Sequence, residues 1–183
     1  ASEIRLEEQM GELLKDKVCI VTGSARGIGK EISLLFASEG AEVVVNDTRE
    51  GSADRWINQS KYKEALHPYY FDISDSVAVR QNIMAVKKQF GHIDVLVNNA
   101  GVEFNELIGM ISQEHMEKMF RVNVYGTIEM LQAVSRIMAR NEKGGSIINI
   151  SSVVGLRGNP GQLVYSATKG AVIALTKSAA KEL

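Results

Sequence analysis

Apolar positions run without a break from Val18 into Thr22, a pattern that suits a strand buried on both faces of a parallel sheet. Helical spacing follows at Ile32, Leu35 and Phe36. A second strand is predicted at Glu42 to Asn46, ending in Asp47, then a helix at Ser52 to Lys63. The third strand spans His67 to Phe71 and ends in Asp72-Ile73. Ser74 or Asp75 can cap a helix whose apolar positions Val79, Ile83 and Val86 carry it to about Phe90. The fourth strand, Ile93 to Val97, runs into Asn98-Asn99-Ala100-Gly101. A long helix is predicted from about Gln113 to Arg140, with Met116, Met119, Phe120, Met130, Leu131, Val134 and Met138 as its apolar stripe. Gly144 and Gly145 end it, Ser146 to Ile150 is a fifth strand, and a last helix carries Tyr165 and Lys169. Strand and helix alternate five times, which makes this an α/β chain with a doubly wound parallel sheet in the order 3-2-1-4-5.

The 183 residues suit one domain, read here as 16–183, with 1–15 as an extension or expression remnant. The composition, 45% hydrophobic and 23% charged, indicates neither disorder nor a membrane span. A formal net charge of −1 argues against a nucleic-acid surface. The single cysteine, Cys19, lies in an apolar run, so no internal disulfide forms and a reducing compartment is expected. Glu3, Glu7, Glu8 and Glu12 interrupt the first fifteen residues, which therefore lack the apolar core of a secretory leader; cytoplasm is the expectation. His67, His92 and His115 show no ligand spacing, so no metal is expected.

Three stretches bring in chemistry. Thr22-Gly23-Ser24-Ala25-Arg26-Gly27-Ile28-Gly29 sits between a strand and a helix, where open backbone N–H groups and the helix dipole favour an anion such as a pyrophosphate. A tight turn that merely needs residues without side chains is the plainer alternative. Asp47 stands eighteen residues past Gly29, at the tip of the second strand. An acid about 20 residues on is where a ribose 2′-hydroxyl is held, although a turn or cap residue reads the same way. Polar Asn123, amid the apolar stripe, needs hydrogen-bond partners. Tyr165 and Lys169 share a helix face at i and i+4. A charge about 5 Å from a phenol at an effective dielectric of about 20 supplies roughly 3 kcal/mol. Bringing a tyrosine from about 10 to near 7 takes roughly 4 kcal/mol. An ordinary exposed tyrosine and lysine remains the alternative for that pair alone.

Taken together, T-G-S-A-R-G-I-G from Thr22, N-N-A-G from Asn98, Asn123, Ser152 thirteen residues before Tyr165, and Y-S-A-T-K from Tyr165 resemble the short-chain dehydrogenase/reductase family. The likeness covers about Lys17 to Leu183. It implies a Rossmann-like, three-layered fold and an oxidoreductase that moves a hydride between a nicotinamide cofactor and a carbonyl or secondary alcohol. By the same resemblance Tyr165 is the general acid and base, Lys169 lowers its pKa and holds the nicotinamide ribose, Ser152 orients the carbonyl, and Asn123 anchors a water. Gly23, Ser24, Arg26, Gly27, Ile28 and Gly29 cradle the pyrophosphate, Asp47 takes the ribose, Asp72 and Ile73 border the adenine, and Asn98, Ala100 and Gly101 flank the adenosine side. The pattern S-V-V-G-x-x-G-N-x-G-Q-x-x-Y is similar to 3-oxoacyl-acyl-carrier-protein reductases, and also to hydroxysteroid, sugar and polyol dehydrogenases; a catalytically silent nucleotide-binding protein is the further alternative. Arg136, Arg140 and Lys143 suit an acidic carrier protein or, equally, simple charge complementarity at a helix C-terminus. A homo-oligomer, dimer or tetramer, is implied.

Asp47 favours NAD over NADP, while Arg26 and Arg49 speak for NADP. The fifth strand, uncharged and carrying three isoleucines, is a poor natural edge. The expectation is that the last strands of the sheet are missing here and that the natural polypeptide continues past Leu183.

Overall fold

A computed structural model describes residues 11–183. Five parallel strands, β1 (Val18–Val21), β2 (Glu42–Asp47), β3 (Leu66–Tyr70), β4 (Val95–Asn98) and β5 (Ser146–Asn149), form one sheet in the order β3-β2-β1-β4-β5. This is the predicted doubly wound order. Every residue of β1 is buried, because alternate side chains feed two separate cores. Val18 and Ile20 join Val44 and Leu96 on one face, under α3 (Ser76–Phe90) and α5 (Thr127–Met138). Cys19 and Val21 join Val43, Val45 and Val97 on the other, under α1 (Gly27–Ser38) and α2 (Asp54–Gln59). A valine or isoleucine so buried contributes about 1.5–3 kcal/mol over an exposed one. Two covered faces therefore account for an apolar run in which no position alternates with a polar one.

Helix ends follow their local chemistry. Asp75, not Ser74, caps α3: its Oδ1 accepts from Val77 N at 2.9 Å and Ala78 N at 3.1 Å. Gly91 closes that helix in the left-handed region at φ 84°. The helix predicted over Ser52–Lys63 is shorter, since the backbone turns extended at Ser60 and resumes only as a 3₁₀ turn at Lys63–Ala65.

The long helix predicted from Gln113 is continuous but not uniform. It comprises α4 (Gln113–Phe120), a π-helical segment at Arg121–Gly126, and α5. Two contacts fix that irregularity. A Cβ on Gly126 would lie 2.7 Å from Ile73 Cδ1, so the bare glycine lets the segment press against the loop that follows β3. Thr127 Oγ1 donates to the Asn123 carbonyl at 2.9 Å, occupying an acceptor within the widened turn. Single π turns often mark functional positions. After β5 come a short helix, α6 (Val154–Arg157), which sequence periodicity did not reveal, and α7 (Leu163–Glu182).

Residues 1–10 of the expected extension lie outside the described residues. Leu14, by contrast, packs against the second core, and its N–H donates to Glu39 O at 2.9 Å. The edge strand β5 leaves Ile148 exposed.

Candidate active site

The turn after β1 is shaped by what cannot fit there. Gly23 has φ +63°, and a Cβ on it would lie 2.7 Å from Ala100 Cα. A Cβ on Gly29 would lie 2.5 Å from Gly23 O and 2.6 Å from Asn99 Nδ2. Gly27, at φ +57°, faces open space instead. Polar side chains tie the turn to the sheet from beneath. Thr22 Oγ1 accepts from Asn99 N and Ala100 N, both at 3.0 Å, and Asn99 Nδ2 donates to Thr22 O and Gly23 O. Ser24 Oγ donates to Val21 O at 2.7 Å and also reaches Asn46 O. At the mouth, α1 begins at Arg26 with no side-chain cap and no acid in its first turn, leaving its first backbone donors open. Glycine-lined space in front of uncapped donors fits a pyrophosphate.

Asp47 ends β2 against this turn. Its Oδ2 accepts from Ala25 N at 3.2 Å and its Oδ1 from Thr48 N at 2.9 Å. Arg26, Ile28 and Arg49 are exposed beside it. Asp72 is exposed and accepts from Ser74 N at 2.8 Å. Ile73 is 3% exposed with its side chain against Gly126, so only its backbone is free to border a ligand. Asn98 turns away from the glycine turn: its Nδ2 donates to Asn149 Oδ1 at 2.8 Å, and Asn149 passes a bond on to Thr176 Oγ1. The next residue, Asn99, is the one that reaches the turn. Its position one step beyond a buried strand residue was the available signal, since successive side chains point to opposite faces.

On the other flank, Gly101 brings the chain against two polar groups. A Cβ there would lie 3.3 Å from Asn123 Oδ1 and 3.5 Å from Lys169 Nζ. The Asn123 amide is bonded to protein on both of its atoms. Its Oδ1 accepts from Val102 N at 2.8 Å, and its Nδ2 donates to Val102 O at 2.9 Å and Thr168 Oγ1 at 3.0 Å. Lys169 is 5% exposed, donates to Ile150 O at 2.9 Å, and stands 5.7 Å from the Tyr165 ring centroid. Gly155 makes the approach of α6 to α7 possible, because a Cβ there would meet Lys169 C at 2.7 Å. Ser152, just before α6, accepts from Val154 N at 3.4 Å, and its hydroxyl is near enough to the Tyr165 phenol to favour the phenolate.

The phenol stands under opposing influences. Tyr165 is pushed above its ordinary value, first by burial and then by the Glu103 carboxylate, while the Ser152 hydroxyl pulls the other way. Burial pushes Lys169, whose ammonium donates to the Ile150 carbonyl, below its ordinary value. Glu103 escaped the sequence reading. It is joined by a hydrogen bond from Gln162 Nε2, a partner 59 residues away.

Among the described residues, no three histidine, cysteine or acidic side chains stand together as a metal set, and no helix is long and apolar enough to cross a membrane. The family model for short chain dehydrogenase matches residues 17–183. A 3-oxoacyl-[acyl-carrier-protein] reductase of Thermotoga maritima is 40% identical over 171 residues, covering 93% of this chain and 69% of that relative. A galactitol 2-dehydrogenase of Agrobacterium fabrum is 37% identical over 170 residues, covering 93% of this chain and 66% of that relative. The crystal structure of a gluconate 5-dehydrogenase from Burkholderia cenocepacia, in complex with NADP and tartrate, superposes with a TM-score of 0.86 at 34% identity, over 95% of this chain and 68% of that one. A glycine-lined anion cradle at the end of a doubly wound sheet, a phenol with a serine and a buried lysine beside it, and a family match from Lys17 to Leu183 agree: the chain belongs to the short chain dehydrogenase family and is a nicotinamide-dependent oxidoreductase.

Proposed function

We propose that Tyr165 exchanges the proton with the oxygen of a carbonyl or secondary alcohol, and that Ser152 orients that oxygen. Contiguity of the two flanks carries this reading: Ala100 packs against Gly23 while the next residue, Gly101, lies beside Lys169 Nζ. One dipeptide thus spaces the phosphate cradle from the proton donor. Bound nicotinamide supplies or takes up the hydride, and the protein supplies position and electrostatics. Gly23, Ser24, Arg26, Gly27, Ile28 and Gly29 hold the pyrophosphate, with Asp72, the Ile73 backbone, Ala100 and Gly101 bordering the nucleotide. Asn98 acts from behind, through Asn149. Lys169 holds the ribose side and keeps positive charge by the ring, and Asn123 is a positioning residue that fixes Val102 and Thr168.

Asp47 favours NAD, since a carboxylate accepts bonds from ribose hydroxyls and repels a 2′-phosphate. Exposed Arg26 and Arg49 support the NADP reading. The substrate is a 3-oxoacyl thioester on acyl-carrier protein by likeness to the Thermotoga reductase, with exposed Arg136, Arg140 and Lys143 as the docking charges. A neutral polyol is the second reading, favoured by the galactitol relative and by the carboxylate of Glu103 beside the phenol. Exposed Tyr125 and Ile128 on the long helix support a homo-oligomer, dimer or tetramer, and buried Cys19 supports a cytoplasmic setting. Nicotinamide absorbance across 3-oxoacyl thioesters, hydroxysteroids and polyols, with both cofactors, tests this. Turnover of at least one class is expected; cofactor binding with no turnover of any would leave the silent nucleotide-binding alternative.

A further inference from the structure

Glu103 lies on the loop after β4, and that loop is fixed at three points. Gly101 abuts Lys169 Nζ and Asn123 Oδ1, both polar backbone atoms of Val102 are held by Asn123, and Glu106 N donates to Gly161 O at 2.8 Å. Between these ties the Glu103 carboxylate is held by Gln162 Nε2, and Gln162 precedes Tyr165 by three residues at the start of α7. Among the described residues, no lysine, arginine or histidine lies within ion-pair distance of Glu103 to neutralise it. A carboxylate offers about four lone-pair sites. Gln162 occupies one, and the residue is otherwise exposed. The loop therefore presents an uncompensated, acceptor-only group at the start of the helix that carries the phenol, held there by Gln162, and its charge acts on Tyr165.

We infer that Glu103 is a specificity-determining residue: its carboxylate accepts hydrogen bonds from hydroxyl groups neighbouring the reacting carbon of a neutral polyhydroxylated substrate, and rejects substrates that carry a carboxylate there. This rests on the oxidoreductase reading above and selects the polyol class within it. A 3-oxoacyl chain brings no hydroxyl donor to the carbons beside its ketone, so it gains nothing from this acceptor. Charge repulsion and an unpaired acceptor both act against an aldonate, and a site built to bond a hydroxyl discriminates more strongly than an apolar pocket does.

The test uses the full chain, with Glu103→Gln and Glu103→Ala against the parent, on a polyol, the aldonate of equal carbon number, and a 3-oxoacyl thioester. The parent is expected to prefer polyol to aldonate in kcat/KM. Glu103→Gln should move that ratio by about tenfold or more toward the aldonate, a change of about 1.4 kcal/mol, while the thioester reports the effect that reaches every substrate through the phenol. A polyol-to-aldonate ratio constant in both variants overturns the inference. A second readout needs no turnover. The ionisable groups facing the phenol are Glu103 from the loop and Lys169 from its own helix, with the Ser152 hydroxyl beside it. Ultraviolet difference titration, with Tyr165→Phe as blank, should show the phenol ionising at lower pH in Glu103→Gln, because removing the anion favours phenolate. An unmoved titration overturns the placing of Glu103. A moved titration with no turnover of any substrate would instead defeat the oxidoreductase reading and leave the placing of the carboxylate intact.

Discussion

The two flanks of the site are built on opposite plans. The glycine turn is held from within by buried groups, Thr22 and Ser24 and the reach of Asn99, and it has no room for a side chain at Gly23 or Gly29. The proton-transfer flank is assembled from separate pieces, Gly101 to Glu106, Ser152 and α7, with part of its ties at the surface, such as Glu103 to Gln162. The first plan gives a rigid receptor suited to an anion of fixed shape such as the proposed pyrophosphate. The second lets side chains change from one substrate to another while the cradle stays the same.

The largest expected effect lies on the second flank. Tyr165→Phe removes the proton donor and keeps the ring, so turnover should fall by about 10²- to 10⁴-fold, with cofactor affinity by fluorescence titration nearly unchanged. More than about a tenth of parental activity would remove Tyr165 from its role. On the first flank, Gly29→Ala drives a methyl into Gly23 O and Asn99, contacts under 3 Å to backbone as well as side chain. Overpacking of this kind costs about 1–3 kcal/mol, and here it deforms the donors themselves. Cofactor binding should be lost in a chain that still folds by circular dichroism; intact binding would mean the turn is softer than its contacts imply.

Asn123→Ala joins the two plans, because it strips half-buried Val102 and buried Thr168 of their partner. Each buried group left unpaired costs about 1–3 kcal/mol, and a domain of this size loses roughly 2–4 °C of Tm per kcal/mol. A drop in Tm together with a fall in kcat is expected, whereas an unchanged Tm would contradict the clamp. The smallest effect is expected from Asp47→Ser, a shift of the NADP-to-NAD ratio in kcat/KM of about tenfold, or about 1.4 kcal/mol. A parent that already prefers NADP by more than tenfold would reverse the assignment of Asp47.

How far the sequence disclosed these regions follows from the same contrast. The cradle was legible because it is local: strand, turn and helix start within Val18–Gly29, and the turn's geometry demands glycine there. Tyr165 and Lys169 were legible as a pair on one helix face, but the sense of the phenol's shift was not. It depends on burial and on Glu103, a residue drawn in from another loop. The π segment was hidden for a like reason, since Gly126 meets Ile73 and Asn123 meets Val102 only after folding. The short α2 was overextended because helical spacing persists past Ser60, where the backbone has already turned extended.

The bonded series Asn98, Asn149, Thr176 has a mechanical meaning. In the parallel register Asn98 stands opposite Asn149, and α7 clasps the far end of the pair through Thr176. Sliding β5 by one residue would send every side chain to the wrong face, setting Ile148 against an amide. The amides thus act as an indexing pin between strand and helix. Ser152 leaves the end of that strand and Tyr165 rides on that helix, so the pin keeps hydroxyl and phenol in phase.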